Sequence, residues 1–223
     1  MSQDSATDFA LLEAWRDGDA EAGNALVGRY YGPVLRFFEV RTRAADDLTQ
    51  HTLLACVEGR ERYRGDGSFR SYLFSIARRV LMRQLADQHN AARLSRFDEP
   101  ESAHRTSASM LMARRQEQQV LLASLALLPE AVQSIIVLYY WEQLSAREIG
   151  EIMGMPTSTV TTQLSRARQA LRDQIQTIAG GRAGNALLAD LDAWTRSLAP
   201  DDALRLVGAD VVARIAALPA RRR

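Results

Sequence analysis

The stretch LPEAVQSIIVLYYWEQLSAREIGEIMGMPTSTVTTQLSRARQALR, from Leu128 to Arg172, decides how this chain is read. Ser145 followed three residues later by Glu148 is the signature of a capping box, in which each side chain satisfies the other's free backbone N–H. A helix is therefore expected to start at Leu144 or Ser145. Ile149 and Ile152 give that helix its inward side, and Gly154, which has no Cβ, permits the turn that ends it. Pro156 cannot extend the first helix but suits the first position of the next. Beyond it Val160, Leu164, Ala167, Leu171 and Ile175 recur at helical spacing as one buried stripe. The other face offers Ser158, Thr159, Thr161, Thr162, Ser165, Arg166, Arg168 and Arg172. Hydroxyls and guanidiniums near a helix N-terminus suit phosphate and base-edge contacts. The pattern is that of a helix-turn-helix, which lays one short helix in the major groove of DNA. Two ordinary surface helices joined by a tight turn would share the local pattern, so the rest of the chain has to decide between them.

At 223 residues and 47% hydrophobic, the chain can fill one large core or two small ones. Six Pro and 13 Gly are few, and neither strand-like alternation nor an Asn-Gly hairpin stands out, so the expected class is all-α. The net charge of +1 conceals strong local patterning and argues neither for nor against nucleic acid. The opening MSQDSATDFALLEAW lacks a basic region followed by an apolar run, and no 18-residue apolar stretch exists. Neither a signal peptide nor a membrane span is expected. Cys56, the single cysteine, lies in an apolar helical pattern and is expected to be a small core residue of a cytoplasmic protein.

Four segments follow from the periodicity. Residues 1–86 form a first helical domain, with helices expected over Phe9–Arg16, Ala20–Arg43, Ala45–Arg62 and Phe69–Leu85. Leu26, Tyr30, Val34, Phe37 and Phe38 are core candidates of the second helix, and Gly32-Pro33 is a candidate kink or break in it. Phe69, Tyr72, Leu73, Ile76, Ala77, Val80 and Leu81 form one stripe of the fourth. Residues 87–110 are polar, Ser-rich and mixed in charge, the composition of a flexible linker. Residues 111–179 hold a lead helix, a hinge at Pro129-Glu130, an apolar helix to Trp141 and the helix-turn-helix. Residues 180–223 form an extension with two apolar stripes, one through Leu187, Leu191 and Trp194 and another through Leu204, Val211 and Ile215.

Two further blocks carry chemistry. Asp47, Gln50, His51 and Leu54 share one face of the third helix, and a carboxylate and an amide beside an apolar group suit docking to a protein partner. Arg70, Phe74, Arg78, Arg79 and Arg83 are expected on the outward side of the fourth helix, cations interleaved with an aromatic, as single-stranded DNA requires. The Gly-rich loop Arg64-Gly65-Asp66-Gly67-Ser68 before that helix allows close backbone approach to a flipped base.

Together these blocks resemble the extracytoplasmic-function sigma factors of bacterial RNA polymerase. The resemblance covers about Asp8 to Ile178 and rests on Ala45–Gln50, on Tyr63–Phe69 through Ile76-Ala77-Arg78, and on Leu128-Pro129-Glu130 through Leu164–Arg168. It implies that 1–86 is region two and 111–179 region four. Asp47, Gln50, His51 and Leu54 would dock on the β′ clamp helices of core RNA polymerase, with the β flap as a further contact. Arg64, Asp66, Ser68, Phe69, Arg70, Tyr72, Phe74, Arg78, Arg79 and Arg83 would capture and melt the minus-ten element of promoter DNA. Ser158, Thr159, Thr161, Thr162, Gln163, Ser165, Arg166 and Arg168 would read the minus-thirty-five element.

The chain departs from the family pattern at several of these positions. His51 stands where an acidic residue is usual, Tyr72 where Trp is usual, and Arg79 where an Asn often helps read the flipped base. Thr161 and Gln163 replace common cations. The extension resembles regulatory modules that take the role otherwise given to an anti-sigma factor, itself a partner the resemblance allows. An enzyme is disfavoured: His51, His89, His104 and Cys56 are scattered without metal-ligand spacing, and neither a nucleophile–base pair nor a phosphate-binding Gly-rich loop stands out. Neither a metal nor any other cofactor is implied. A helix-turn-helix regulator acting without core polymerase is the alternative, and it leaves the Asp47–Gln50 face and the arginine series unexplained.

Overall fold

A computed structural model describes residues 3–65, 67–94 and 116–179. Among them every regular element is helical: α1 Gln3–Arg16, α2 Ala20–Glu39, α3 Ala45–Gly59, a 3-10 turn Arg60–Arg62, α4 Phe69–Leu94, α5 Gln116–Ala126, α6 Glu130–Tyr140, α7 Ala146–Met153 and α8 Thr157–Ala179. Contacts group residues 3–35 with 46–91, and residues 36–45 with the helices from Gln116 onward. The extension from residue 180 and most of the expected linker lie outside the described residues.

In the first unit α1 starts at Gln3, six residues ahead of the expected Phe9. Buried Asp8 fixes it to α2 through an ion pair with Arg29 at 2.6 Å and by accepting the Tyr30 hydroxyl proton. The two helices approach closely at Gly23, where a Cβ would stand 2.4 Å from Nε1 of Trp15. Asp19 opens α2 by accepting from the N–H groups of Glu21 and Ala22 at 2.9 and 3.1 Å. The break considered at Gly32-Pro33 does not occur, because α2 runs on through Pro33. Proline's fixed φ is helical, and the burial of Tyr30, Val34, Phe37 and Phe38 outweighs the one ladder bond it cannot donate. The helix, whose last residues from Arg36 group with the second unit, ends at Glu39 instead of the expected Arg43. There the N–H groups of Arg41 and Thr42 both turn to the Phe38 carbonyl at 2.8 and 3.0 Å, while the Arg41 guanidinium donates to the Phe37 carbonyl.

Helix α3 buries Leu48, Leu53, Cys56 and Val57, and its last expected turn, Arg60–Arg62, tightens into the 3-10 form. Ser68 caps α4 by accepting from the Ser71 N–H at 3.1 Å. Phe69, Leu73, Phe74, Ile76, Ala77 and Leu81 of α4 fill the core. The helix continues to Leu94, nine residues past the expected Leu85. Ala86, Gln88, Ala91, Ala92, Arg93 and Leu94 are good helix formers, so propensity carries the helix on where apolar periodicity fades.

In the second unit α5 packs on α8, with Leu121, Leu122 and Leu125 buried. The Pro129 hinge is closed by buried Gln133, whose Nε2 donates to the Leu128 carbonyl at 2.7 Å. The expected capping box is present: Ser145 accepts from the Glu148 N–H at 3.3 Å, and Glu148 accepts from the Ser145 N–H at 2.9 Å. Gly154 ends α7 in the left-handed region at φ 69°, a conformation that strains other L-residues. Pro156 lies one residue before α8 and not within its first turn, its carbonyl accepting from the Val160 N–H at 3.1 Å. Val160, Leu164, Ala167, Leu171 and Ile175 are all buried, as their spacing requires.

Burial pushes the Cys56 thiol up to about 12, with nearby Arg60 acting in the opposite direction. Above pH about 9 the unfolded chain ionises this thiol while the folded chain keeps its proton, so its share of stability is lost as pH rises from 9 towards 12. Cys56→Ala should therefore flatten the fall of stability with pH across that window. Paired urea titrations of variant and parent at pH 8 and pH 10.5 check this, and an identical slope in both would refute it.

Candidate nucleic-acid interface

Three surfaces gather the residues that the sequence singled out. On α3, Asp47, Gln50 and His51 are exposed and Leu54 is half-buried, while Leu48, Thr49, Thr52 and Leu53 turn inward. The Thr52 hydroxyl donates to the Leu48 carbonyl at 2.8 Å, so it competes for nothing on the outer face. What remains outside is a carboxylate, an amide and an imidazole around an aliphatic patch, a surface suited to a partner carrying cations and apolar groups.

The second surface is the loop after the 3-10 turn together with α4, and here two expectations are corrected. Phe74 is not outward but fully buried, and Phe69 is only 3% exposed, so neither offers a face to a base. Phe74 lies close to Leu81 around the helix and widens the apolar stripe. Tyr72 is half-buried; its hydroxyl donates to the Gly59 carbonyl at 3.2 Å and its ring stacks on Tyr63 at 4.8 Å. Burial, and next to it the proximity of Cys56, raises the Tyr72 phenol above its ordinary value. Arg70 is half-buried with its guanidinium 5.9 Å from the Tyr30 ring centre, and Arg78 is also half-buried. Arg64, Arg79 and Arg83 are exposed and Ser68 is half-buried, whereas Asp66 lies outside the described residues.

A groove of about 480 Å3 brings Tyr72, Arg79 and Arg83 together with Arg62, Glu58 and Gly59. Arg62 was missed from sequence because it closes the expected third helix; its exposure follows from the 3-10 turn there. Three guanidiniums against one carboxylate make this groove attractive to phosphate or to base acceptors.

The third surface is the first half of α8. Ser158, Thr161, Thr162, Ser165 and Arg166 are exposed, with Thr159 and Gln163 half-buried. The Thr161 and Thr162 hydroxyls donate back to the carbonyls of Thr157 and Ser158 at 3.1 and 3.0 Å, which leaves their lone pairs outward as acceptors. Arg168 differs from the other candidates. Its Nε donates to the Tyr140 hydroxyl at 2.5 Å, and its guanidinium lies 5.4 and 5.6 Å from the ring centres of Tyr139 and Tyr140. It is held on α6 and still borders a notch of about 580 Å3 lined by Ser165, Arg166, Gln169 and Arg172. The three arginines make that notch an anion site on the helix flank.

The reassignment of Phe74 has a measurable consequence. Phe74→Ala should lower stability by about 3–5 kcal/mol, as deletion of a buried phenyl ring does. Phe74→Leu should retain most of the stability and all of the DNA affinity of its folded fraction. Urea midpoints with parallel DNA-binding titrations decide it: loss of affinity in a stable Phe74→Leu protein would return the ring to the interface.

With this geometry in place, comparison with known proteins is specific. Residues 26–91 match the family model Sigma-70 region 2, and residues 118–171 match Sigma-70, region 4. The chain is 28% identical over 181 residues to the ECF RNA polymerase sigma-E factors of Escherichia coli (strain K12) and Salmonella typhimurium (strain LT2), an alignment covering 76% of this chain and 95% of each relative. The Haemophilus influenzae protein of the same name is 27% identical over 189 residues, covering 76% and 96%. Among solved structures, CnrH in complex with the cytosolic domain of CnrY superposes with a TM-score of 0.57 at 24% identity, covering 77% of this chain and 99% of that one. The sigma factor RpoE in complex with the anti-sigma factor NepR from Bartonella quintana gives 0.55 at 20%, covering 69% and 94%. These two likenesses show a shared fold. Two sigma-70 regions in chain order, with relatives matched over nearly their whole length, place the chain in the family of extracytoplasmic-function sigma factors of RNA polymerase.

Proposed function

We propose that this sigma factor attaches to core polymerase through the α3 face of Asp47, Gln50, His51 and Leu54. The first unit, within residues 1–86, then melts the minus-ten element. Arg62, Arg64, Arg79 and Arg83 neutralise the separated strand's phosphates, and the loop of residues 64–68 meets an unpaired base. The second unit, within residues 111–179, reads the minus-thirty-five element with Thr161, Thr162 and above all Arg166. Arg168 positions the reading helix from its seat on Tyr139 and Tyr140. Residues 87–110 connect the two, and 180–223 is a regulatory extension. Direct base contacts and phosphate contacts divide the work, the former selecting sequence and the latter fixing register. The reaction is binding and strand separation; no bond is made or broken by this chain, and it acts where the polymerase is.

One observation carries the reading: the two sigma-70 region matches follow one another along the chain, and each contains a helix with an exposed cationic face. A regulator working alone would need the second unit but not the first. The solved relatives were captured with an anti-sigma factor and with the cytosolic domain of CnrY, which supports an inhibitory protein partner for this chain as well.

Mixing the purified full chain with core polymerase should give co-elution and run-off transcripts from a subset of a randomised promoter library. Sequence-specific DNA binding without co-elution would favour the lone regulator. On the selected promoters Arg166→Ala should reduce transcription by about ten- to a hundred-fold, the worth of one good guanine or phosphate contact. Unchanged output on every such promoter removes that assignment. His51→Glu restores the charge usual in the family and should tighten core binding several-fold at low salt, with the gain fading as salt screens it. An affinity unaltered by the substitution would discard the α3 face as an electrostatic contact.

A further inference from the structure

We infer that Phe9, at the start of the first unit, is the stacking platform for an unpaired DNA base held beside Gly65. This rests on the reading of the first unit as the strand-melting unit and adds to it a residue from outside the loop and α4.

The other aromatics near that loop are already engaged. Phe69 and Phe74 are in the core, Tyr63 is buried, and Tyr63 and Tyr72 stack on each other. Among the described residues Phe9 is the one aromatic in the exposed class, at 43%. Its position relative to the loop is close, since a Cβ on Gly65 would stand 3.3 Å from its Cε2. Gly65 itself adopts φ 81°, so the loop backbone bends in the left-handed region directly against the ring edge. One edge of the phenyl group is therefore supported while much of the ring remains open.

The loop beneath it is braced. Arg16, on the same face of α1 as Phe9 and Glu13 by its i, i+4, i+7 spacing, donates from Nε to the Arg60 carbonyl at 3.1 Å and from Nη2 to the Tyr63 carbonyl. The Tyr63 hydroxyl donates to the Gly67 carbonyl at 2.9 Å and fastens the far end. Helix α1 is thus tied to Arg60 and Tyr63, and Tyr63 to Gly67, so the described backbone around Gly65 is held before a base arrives. The charges agree. Arg62 and Arg64 are exposed in the same loop region, Arg64 next to Gly65 in the chain, and Glu13, one turn along α1 from Phe9, is paired with Arg16 at 2.5 Å. An open aromatic flanked by cations is what single-stranded nucleic acid requires, and stacking tolerates any base identity.

The test uses the full chain bound to core polymerase and a duplex carrying a pre-melted minus-ten bubble. Phe9→Ala should weaken binding to the bubble about ten-fold, within the range that stacking contributes. Phe9→Trp should keep the affinity of the parent, and Phe9→Leu, apolar but without a π face, should not. All variants should keep the parent's thermal midpoint, because the ring is exposed. An abasic residue scanned along the non-template strand should weaken the parent complex at one position and leave Phe9→Ala indifferent there. Equal binding by Phe9→Ala and parent overturns the proposal, as does full affinity in Phe9→Leu. A loss that follows a lowered thermal midpoint without abasic coupling makes Phe9 a brace and also overturns it. If the parent chain itself fails to join core polymerase, the melting reading falls and this proposal with it, a result distinct from a parent that binds and a variant that binds equally.

Discussion

Each residue on α4 either joins the hydrophobic core or stays at the surface, and the packing of the first unit decides which. The α4 stripe sets Phe69 against Tyr30 and Tyr72 against Gly59 at the end of α3, and both phenylalanines of the helix are buried. Deleting a buried phenyl ring costs about 3–5 kcal/mol, more than the roughly 1–3 kcal/mol that stacking on one base contributes, so a ring that can reach the core stays there. The outward side of α4 is left to guanidiniums. Even these divide: Arg70 and Arg78 are partly covered, and only Arg79 and Arg83 stand free of the packing. The electrostatic character of the surface is thus a by-product of how wide the apolar stripe must be.

The second unit solves a different problem with similar means. Helix α8 keeps the N-terminal half of one face exposed and is held by its own buried stripe together with the hold of Arg168 on Tyr139 and Tyr140. A guanidinium lying over aromatic rings gives up little hydration and keeps its charge. Arg168 therefore contributes to packing and to the positive field of the flank at once. Arg166, two residues earlier, lies on the exposed side of the helix.

Much of this was legible from residue spacing. The α8 stripe, the capping box at Ser145, the turn at Gly154 and the α3 face all follow from local periodicity and from the chemistry of single positions. The misreadings have physical causes. Phe74 sits at the margin of the apolar arc, where a helical wheel does not show whether a neighbour will cover it. Pro33 looks like a break because its cost is local while the burial that offsets it is spread over α2. The extent of α4 beyond Leu85 depends on propensity, which a search for apolar recurrence overlooks. The tie between Arg168 and Tyr140 joins residues 28 positions apart, and Arg16 reaches across 47 to the Tyr63 carbonyl. Nothing in a linear pattern announces such pairs.

Gly23 carries a consequence of its own. The indole of Trp15 occupies the space a methyl group would need there, so α1 lies flush on α2 with no slack between them. The absent side chain works as a gauge: it sets the height at which the first helix rides, and with it the reach of everything that helix projects. A single carbon at that point would wedge the helix outward and lift its guanidinium and its phenyl ring away from the bend they overlie, without altering either of those side chains.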